Sequence, residues 1–120
     1  MRIRPLICVW MICVHFAAWG NPQNPTVVSG EATFGAGTNA LDIIASDHAI
    51  IEWEAFSIGQ GEKTNFMLPS SDSAVLNRVT SHLPSSLEGL LNSNGKVYLI
   101  NPNGVLVTES GIIKNIIEQL

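Results

Sequence analysis

A chain of 120 residues holds one small domain at most, and an apolar content of 46% is enough for that domain to form a core. Ten acidic residues against six Lys and Arg give a formal charge of −4, which argues against nucleic acid and anionic membranes as partners, since both select basic surfaces. The two cysteines, Cys8 and Cys13, both lie near the start, so no disulfide framework can be built in the rest of the chain.

The chain opens as a leader. Arg2 and Arg4 precede an almost unbroken apolar run over residues 6–19, and Ala18 and Gly20 place small side chains where a leader peptidase reads them. The run is shorter than the roughly 20 apolar residues that cross a bilayer, and it contains His15, so a cleaved signal peptide over residues 1–20 is expected rather than a retained anchor. Ile12 before Cys13 is not the small residue that lipoprotein processing requires. Cleavage near Gly20 removes both cysteines and leaves four Lys and Arg against ten acids, a net charge of −6.

Residues 21–25 (NPQNP) read as an extended linker, because a residue before proline is pushed out of the helical region. From Thr26 onward, short apolar runs are separated by Gly, Asn, Ser and Asp, and the expected strands cover residues 26–29, 31–34, 40–45, 49–53, 64–68, 73–79, 96–100 and 105–108. Several alternate as half-buried strands do: Leu41, Ile43 and Ala45 share a face, as do Ile51 and Trp53, and Val97 and Leu99. Two stretches carry helical signals. Ser85 to Glu88 has capping-box spacing ahead of Leu90 and Leu91. In the tail, Ile112, Ile113, Ile116, Ile117 and Leu120 fall on one helical face, with Lys114 and Glu118 four residues apart, although nine residues are too few for a helix stable by itself.

The class is therefore all-β. Short strands with Asn- and Gly-rich corners suit a parallel β-solenoid, in which asparagine tolerates the left-handed backbone of the corners and can bond to an asparagine one coil away. The same pattern permits a small antiparallel sandwich, and composition leaves both open.

Four ordered elements carry a resemblance. They are Val27, Val28, Gly30 and Ala32 (Val-Val-x-Gly-x-Ala); Ile51, Trp53, Phe56, Ile58 and Gly59; Leu76 with Asn77, Arg78, Val79 and Thr80; and Asn94-Gly95 followed by Leu99, Ile100, Asn101, Pro102, Asn103, Gly104 and Val105. In that order the chain resembles the amino-terminal secretion domain of the two-partner secretion exoproteins, the filamentous haemagglutinin-type adhesins and haemolysins. The resemblance implies a right-handed parallel β-helix (solenoid) capped by its opening strands, over a partial domain at residues 26–111. It also implies a partner, an outer-membrane β-barrel transporter with periplasmic docking modules, and a secreted or cell-surface destination reached through the periplasm. Asn77, Arg78, Val79 and Thr80, with Asn101, Pro102, Asn103 and Gly104, correspond to the elements tied in that family to folding and recognition by the transporter. No catalytic residue, cofactor or metal carries over, and a host-surface ligand belongs only to a full-length protein. Residues 112–120 drift from the family pattern, so a truncated or frameshifted reading, with the growing end of the solenoid left open, is expected.

Within the second recurring turn, Pro102 pre-sets φ, Asn103 or Gly104 can take positive φ, and Asn101 can bond back to the turn. Arg78 needs a carboxylate if it faces inward and is a candidate docking contact if it faces outward, the commoner fate of Arg. Trp53 and Phe56 are expected core anchors. Three sharper readings fail on context. The run from Gly35 to Ala40 matches a loose dinucleotide fingerprint, with Glu54 at a tempting distance, but it is followed by a strand pattern where a helix is required. His48 and His82 lack ligand spacing. Asp42, Asp47, Glu52 and Glu54 suit a polysaccharide-cleaving β-helix enzyme, yet scattered acids on an acidic surface explain them more simply. The secretion module is thus the leading expectation. A small carbohydrate-active β-helix enzyme or the non-functional product of a truncated gene are the alternatives.

Overall fold

The computed structural model describes residues 20–114 and 116–119. Their regular structure is all strand: β1 (Gln23–Ser29), β2 (Ala32–Gly37), β3 (Ala40–Ala45), β4 (Ala49–Ala55), β5 (Lys63–Met67), β6 (Ala74–Val79), β7 (Ser85–Leu87), β8 (Leu90–Ser93), β9 (Lys96–Ile100), β10 (Val105–Val107), β11 (Ile112–Ile113) and β12 (Ile116–Gln119).

These strands coil. One sheet has the order β12-β9-β6-β4-β1, a second has the order β11-β8-β5-β3-β2, and β7 pairs with β10 as a third face. Each coil contributes one strand to each face. The first coil is β3, β4 and a single bridge at Ile58, the second is β5, β6 and β7, and the third is β8, β9 and β10; β11 and β12 begin the next. All pairings between coils are parallel. Only the opening strands run the other way, β1 antiparallel to β4 and β2 antiparallel to β3, so they close the first coil as a cap. This is a capped β-solenoid of the expected kind, and the antiparallel sandwich is overturned by the parallel register.

Strand alternation becomes stacking. Inward side chains from successive coils lie directly over one another: Ile43 over Phe66, Ala49 over Val75 over Val97, and Ile58 over Leu87. Phe34, Trp53, Phe56 and Phe66 form a chain of rings, edge-on at 5.6 Å and 5.5 Å and then stacked at 6.4 Å. Trp53 and Phe56 are each only 1% exposed, the core anchors their composition implied.

Four local expectations differ from the structure. The presumed linker at 21–25 contributes Gln23, Asn24 and Pro25 to β1, where proline is tolerated because β1 is an edge strand. The capping-box segment is strand, not a helical turn, since Ser85 and Leu87 point inward and Ser86 outward. The tail's helical face is likewise replaced by β11 and β12, whose Ile112 and Ile116 pair with Leu90 and Val97 below them. Asparagine stacking occurs, but on the strands: Asn65 Nδ2 donates to Asp42 Oδ1 at 2.8 Å and Asn92 Nδ2 to Asn65 Oδ1 at 3.5 Å, on the outer face of the second sheet. Among the described residues the left-handed non-glycine positions are Asn39 and His48, both at corners, and Asn24 within β1.

Close stacking leaves several corners without room for a side chain, Gly89 and Gly111 the tightest among the described residues. A Cβ at Gly89 would overlap the backbone carbonyl oxygens of Glu62 and Gly59, neither of which can rotate away. Gly89→Ala is therefore expected to force the second and third coils apart, costing about 1–3 kcal/mol as overpacking does. Urea unfolding followed by circular dichroism reads that loss directly.

Candidate functional site

The two motifs singled out from the sequence lie on consecutive coils, one above the other. Parallel pairing of β9 on β6 sets Ile100 beside Arg78, so the turn that begins at Asn101 runs over the chain that leaves β6.

In the first motif, strand alternation sends Asn77 and Val79 inward with Val75, and Arg78 outward. Asn77 is fully buried in a row otherwise formed by Ile51 and Leu99. A buried amide needs partners, and this one has them on both sides. Its Oδ1 accepts the indole Nε1–H of Trp53 in the first coil at 2.8 Å, and its Nδ2 donates to the carbonyl of Tyr98 in the third at 3.3 Å. Thr80 completes the hold on Trp53, donating to its carbonyl oxygen from the backbone N at 2.9 Å and from Oγ1 at 3.3 Å. Asn77 thus joins three coils through one side chain.

Arg78 faces outward and pairs with Glu52 on the neighbouring strand, Nη2 to Oε2 at 2.5 Å and Nε to Oε2 at 3.1 Å. The two side chains are 41% and 31% exposed, so solvent screens the pair and Arg78→Ala should cost no more than about 1 kcal/mol of stability in a urea titration.

The second motif is a turn latched to the coil beneath. Gly104 N–H donates to the Asn101 carbonyl at 3.0 Å, closing the turn around Pro102, and of the two residues able to take positive φ it is Gly104 that does, at +107°. Asn101 is only 3% exposed. Its Oδ1 accepts the backbone N–H of Asn103 at 2.9 Å, while its Nδ2 donates to the Leu83 carbonyl and to Ser85 Oγ, each at 3.0 Å. Asn103 adds a bond from Nδ2 to the Ser81 carbonyl at 2.9 Å, although it is itself exposed. Pro102 is exposed and carries the turn outward.

A third amide latch lies at Asn94, a residue quoted in the family pattern but not placed among the recognition residues. Asn94 clasps both backbone groups of Leu68 one coil below, accepting from its N–H and donating to its carbonyl, both at 2.8 Å. The signal for Asn77 was present in strand parity, which puts it on the face of Val75 and Val79. Nothing local marks the reach of Asn101 or Asn94.

The residues nominated for other chemistry are occupied elsewhere. Gly35 and Gly37 lie in β2 and Ala40 opens β3, so the loose nucleotide fingerprint is a hairpin with Asn39 at its corner and no helix after it. Glu52 holds Arg78, Glu54 accepts from Asn24, Asp42 accepts from Asn65, and Asp47 accepts the Ala74 N–H while lying 3.3 Å from His48. Asp42 and Glu52 sit on different sheets and do not converge. A groove of about 390 Å³ beside the third face is lined by Ser57, Glu62, Ser86 and Glu88, with Glu62 bonded to the Gly59 N–H and Glu88 to the Ser86 hydroxyl.

The family model of the TPS secretion domain matches residues 18–116. The chain is 41% identical over 93 residues to a heme/hemopexin-binding protein of Haemophilus influenzae strain Rd, and 39% identical over 94 residues to a heme/hemopexin-binding protein of Haemophilus influenzae. Each alignment takes in 77% of this chain and 10% of the relative, so the chain spans about a tenth of the length of the curated proteins it matches. The crystal structure of the HMW1 secretion domain from Haemophilus influenzae superposes with a TM-score of 0.76 at 45% identity, over 78% of this chain and 25% of that one.

Proposed function

The chain belongs to the TPS secretion domain family, and from that premise we propose that it is the module by which a two-partner exoprotein is handed to an outer-membrane β-barrel transporter with periplasmic docking modules. Exoproteins of this family are secreted or surface-exposed, and a secretion domain implies a transporter partner. Residues 1–20 act as the leader, removed near Gly20. Asn77 and Asn101, with Val79, Thr80 and Gly104, serve secretion by building the coil stack that the transporter receives, whereas Arg78, Pro102 and Asn103 offer their outer surfaces to the docking modules.

The observation that carries this reading is the direction of the two motif asparagines. Both are buried, and both spend their amides on neighbouring coils. A contact residue would hold its amide outward for the partner. The relatives are secretion domains and binding proteins rather than enzymes. The heme/hemopexin binding named for two of them belongs to proteins of which this chain matches a tenth, and it is not assigned to this segment.

Co-expression with the cognate transporter tests the proposal. The full chain is expected in the medium, and the Asn101→Ala/Asn103→Ala chain is expected to stay in the periplasm and to be digested there. If the double variant is exported in full and resists protease as the parent does, the role given to the turn is wrong.

A further inference from the structure

The segment directly after the expected leader is built into the core. Thr64 on β5 is fully buried, in an inward row whose other members are Leu41 and Leu91. A lone hydroxyl in an apolar row needs a partner, and it finds one 43 residues away: Thr64 Oγ1 donates to Asn21 Oδ1 at 3.0 Å. Asn21 thereby reaches the second coil, past the first. Pro22 is buried beside it, Gly20 and Asn21 are half-buried in a bend, and Gln23 begins β1.

We infer that Asn21 and Pro22 are the plug of the solenoid's amino-terminal end, and that the seated plug hides the Gly20–Asn21 peptide bond, so that leader removal has to precede closure of the cap. This rests on the reading of residues 1–20 as a cleaved leader. Peptidases take their substrates as accessible, extended chain, and a bond in a folded segment is cut only through local opening. Here the residue on the amino side of the bond is in a bend, and the two on its carboxyl side are a hydrogen-bonded asparagine and a buried proline. Hydrolysis adds one water across the bond, leaving the Gly20 carboxylate and the Asn21 ammonium, with no other reactant. Once cut, Asn21 becomes the chain's first residue, and its side chain, not its backbone, makes the tie to the second coil.

The test compares one molecule in two states. The full 120-residue chain is diluted from denaturant straight into purified leader peptidase, or allowed to fold first, and intact mass is followed with time. The prefolded chain is expected to be cut at Gly20–Asn21 at least about tenfold more slowly, as cleavage through opening requires. Thr64→Val, which removes the hydroxyl at nearly constant volume, should close most of that gap, and Thr64→Ser, which keeps it, should not. Equal rates for prefolded and unfolded chain would overturn the inference, and so would a Thr64→Val chain as resistant as the parent. If the unfolded chain is not cut at this bond at all, the leader reading itself fails and the inference falls with it.

Discussion

Replacing Asn77 by alanine is expected to lower the stability of the domain by about 2–4 kcal/mol, the largest effect among single substitutions on the outer and inner faces of β6. Two losses add. The indole N–H of Trp53 is left buried with no acceptor, a penalty of roughly 1–3 kcal/mol, and the Tyr98 carbonyl loses its donor. A small cavity opens beside Ile51 and Leu99 as well. Asn77→Leu should fill the space yet still cost about 1–3 kcal/mol, because the stranded indole, not volume, sets the penalty. A double-mutant cycle with Trp53→Phe isolates the pair and is expected to show coupling of about 1–2 kcal/mol in urea unfolding. Additive losses would mean that the bond contributes nothing beyond packing.

Asn101→Ala is expected to cost about 2–3 kcal/mol, since four side-chain bonds go at once and the Leu83 carbonyl loses its amide donor. For a domain whose whole stability is of the order of 5–15 kcal/mol, that is a substantial fraction. The loss is also local. The loop that carries Ser81 and Leu83 into β7 is pinned from above by Asn101 and Asn103, so limited proteolysis of the variant should begin there. Asn103→Ala, which removes bonds at an exposed position, should cost about 0.5–1.5 kcal/mol. Equal effects of the two substitutions would show that burial of Asn101 is not what gives the turn its hold.

Much of the architecture could be read from residue order because β-strands report their faces. Alternation in residues 40–45, 49–53 and 96–100 gave strands whose inward sets the coil uses unchanged. Short strands were harder. Ser85 to Leu87 has a single period of alternation, too little to outweigh a capping-box spacing, and Leu90–Ser93 begins with two leucines in succession. The tail was ambiguous for a similar reason: paired isoleucines four residues apart fit a helix face as well as two short strands. What decides is the edge left by β8 and β9, which accepts a strand and offers nothing to a helix.

The site divides along the same line. Turn chemistry is local, so Asn101, Pro102 and Gly104 announce a corner through residue type alone. The partners of the asparagines are not local. Asn77 meets Trp53 24 residues away, Asn94 meets Leu68 at 26, Asn101 meets Leu83 at 18, and Asn21 meets Thr64 at 43. Those distances are set by the lengths of the intervening coils, which vary because corners take up different numbers of residues. The motif residues could therefore be singled out one by one from their types, while the ties that Asn77, Arg78, Thr80, Asn101 and Asn103 make between coils appear only when the coils are stacked.

Hydrogen exchange at the indole Nε1–H of Trp53, followed by NMR in the parent and in Asn77→Leu, tests that role most directly. Strong protection is expected in the parent and exchange at least about tenfold faster in the variant, with the backbone amides of β3 and β4 still protected. An indole that exchanges freely in the parent, or one whose protection is unchanged by Asn77→Leu, would contradict it.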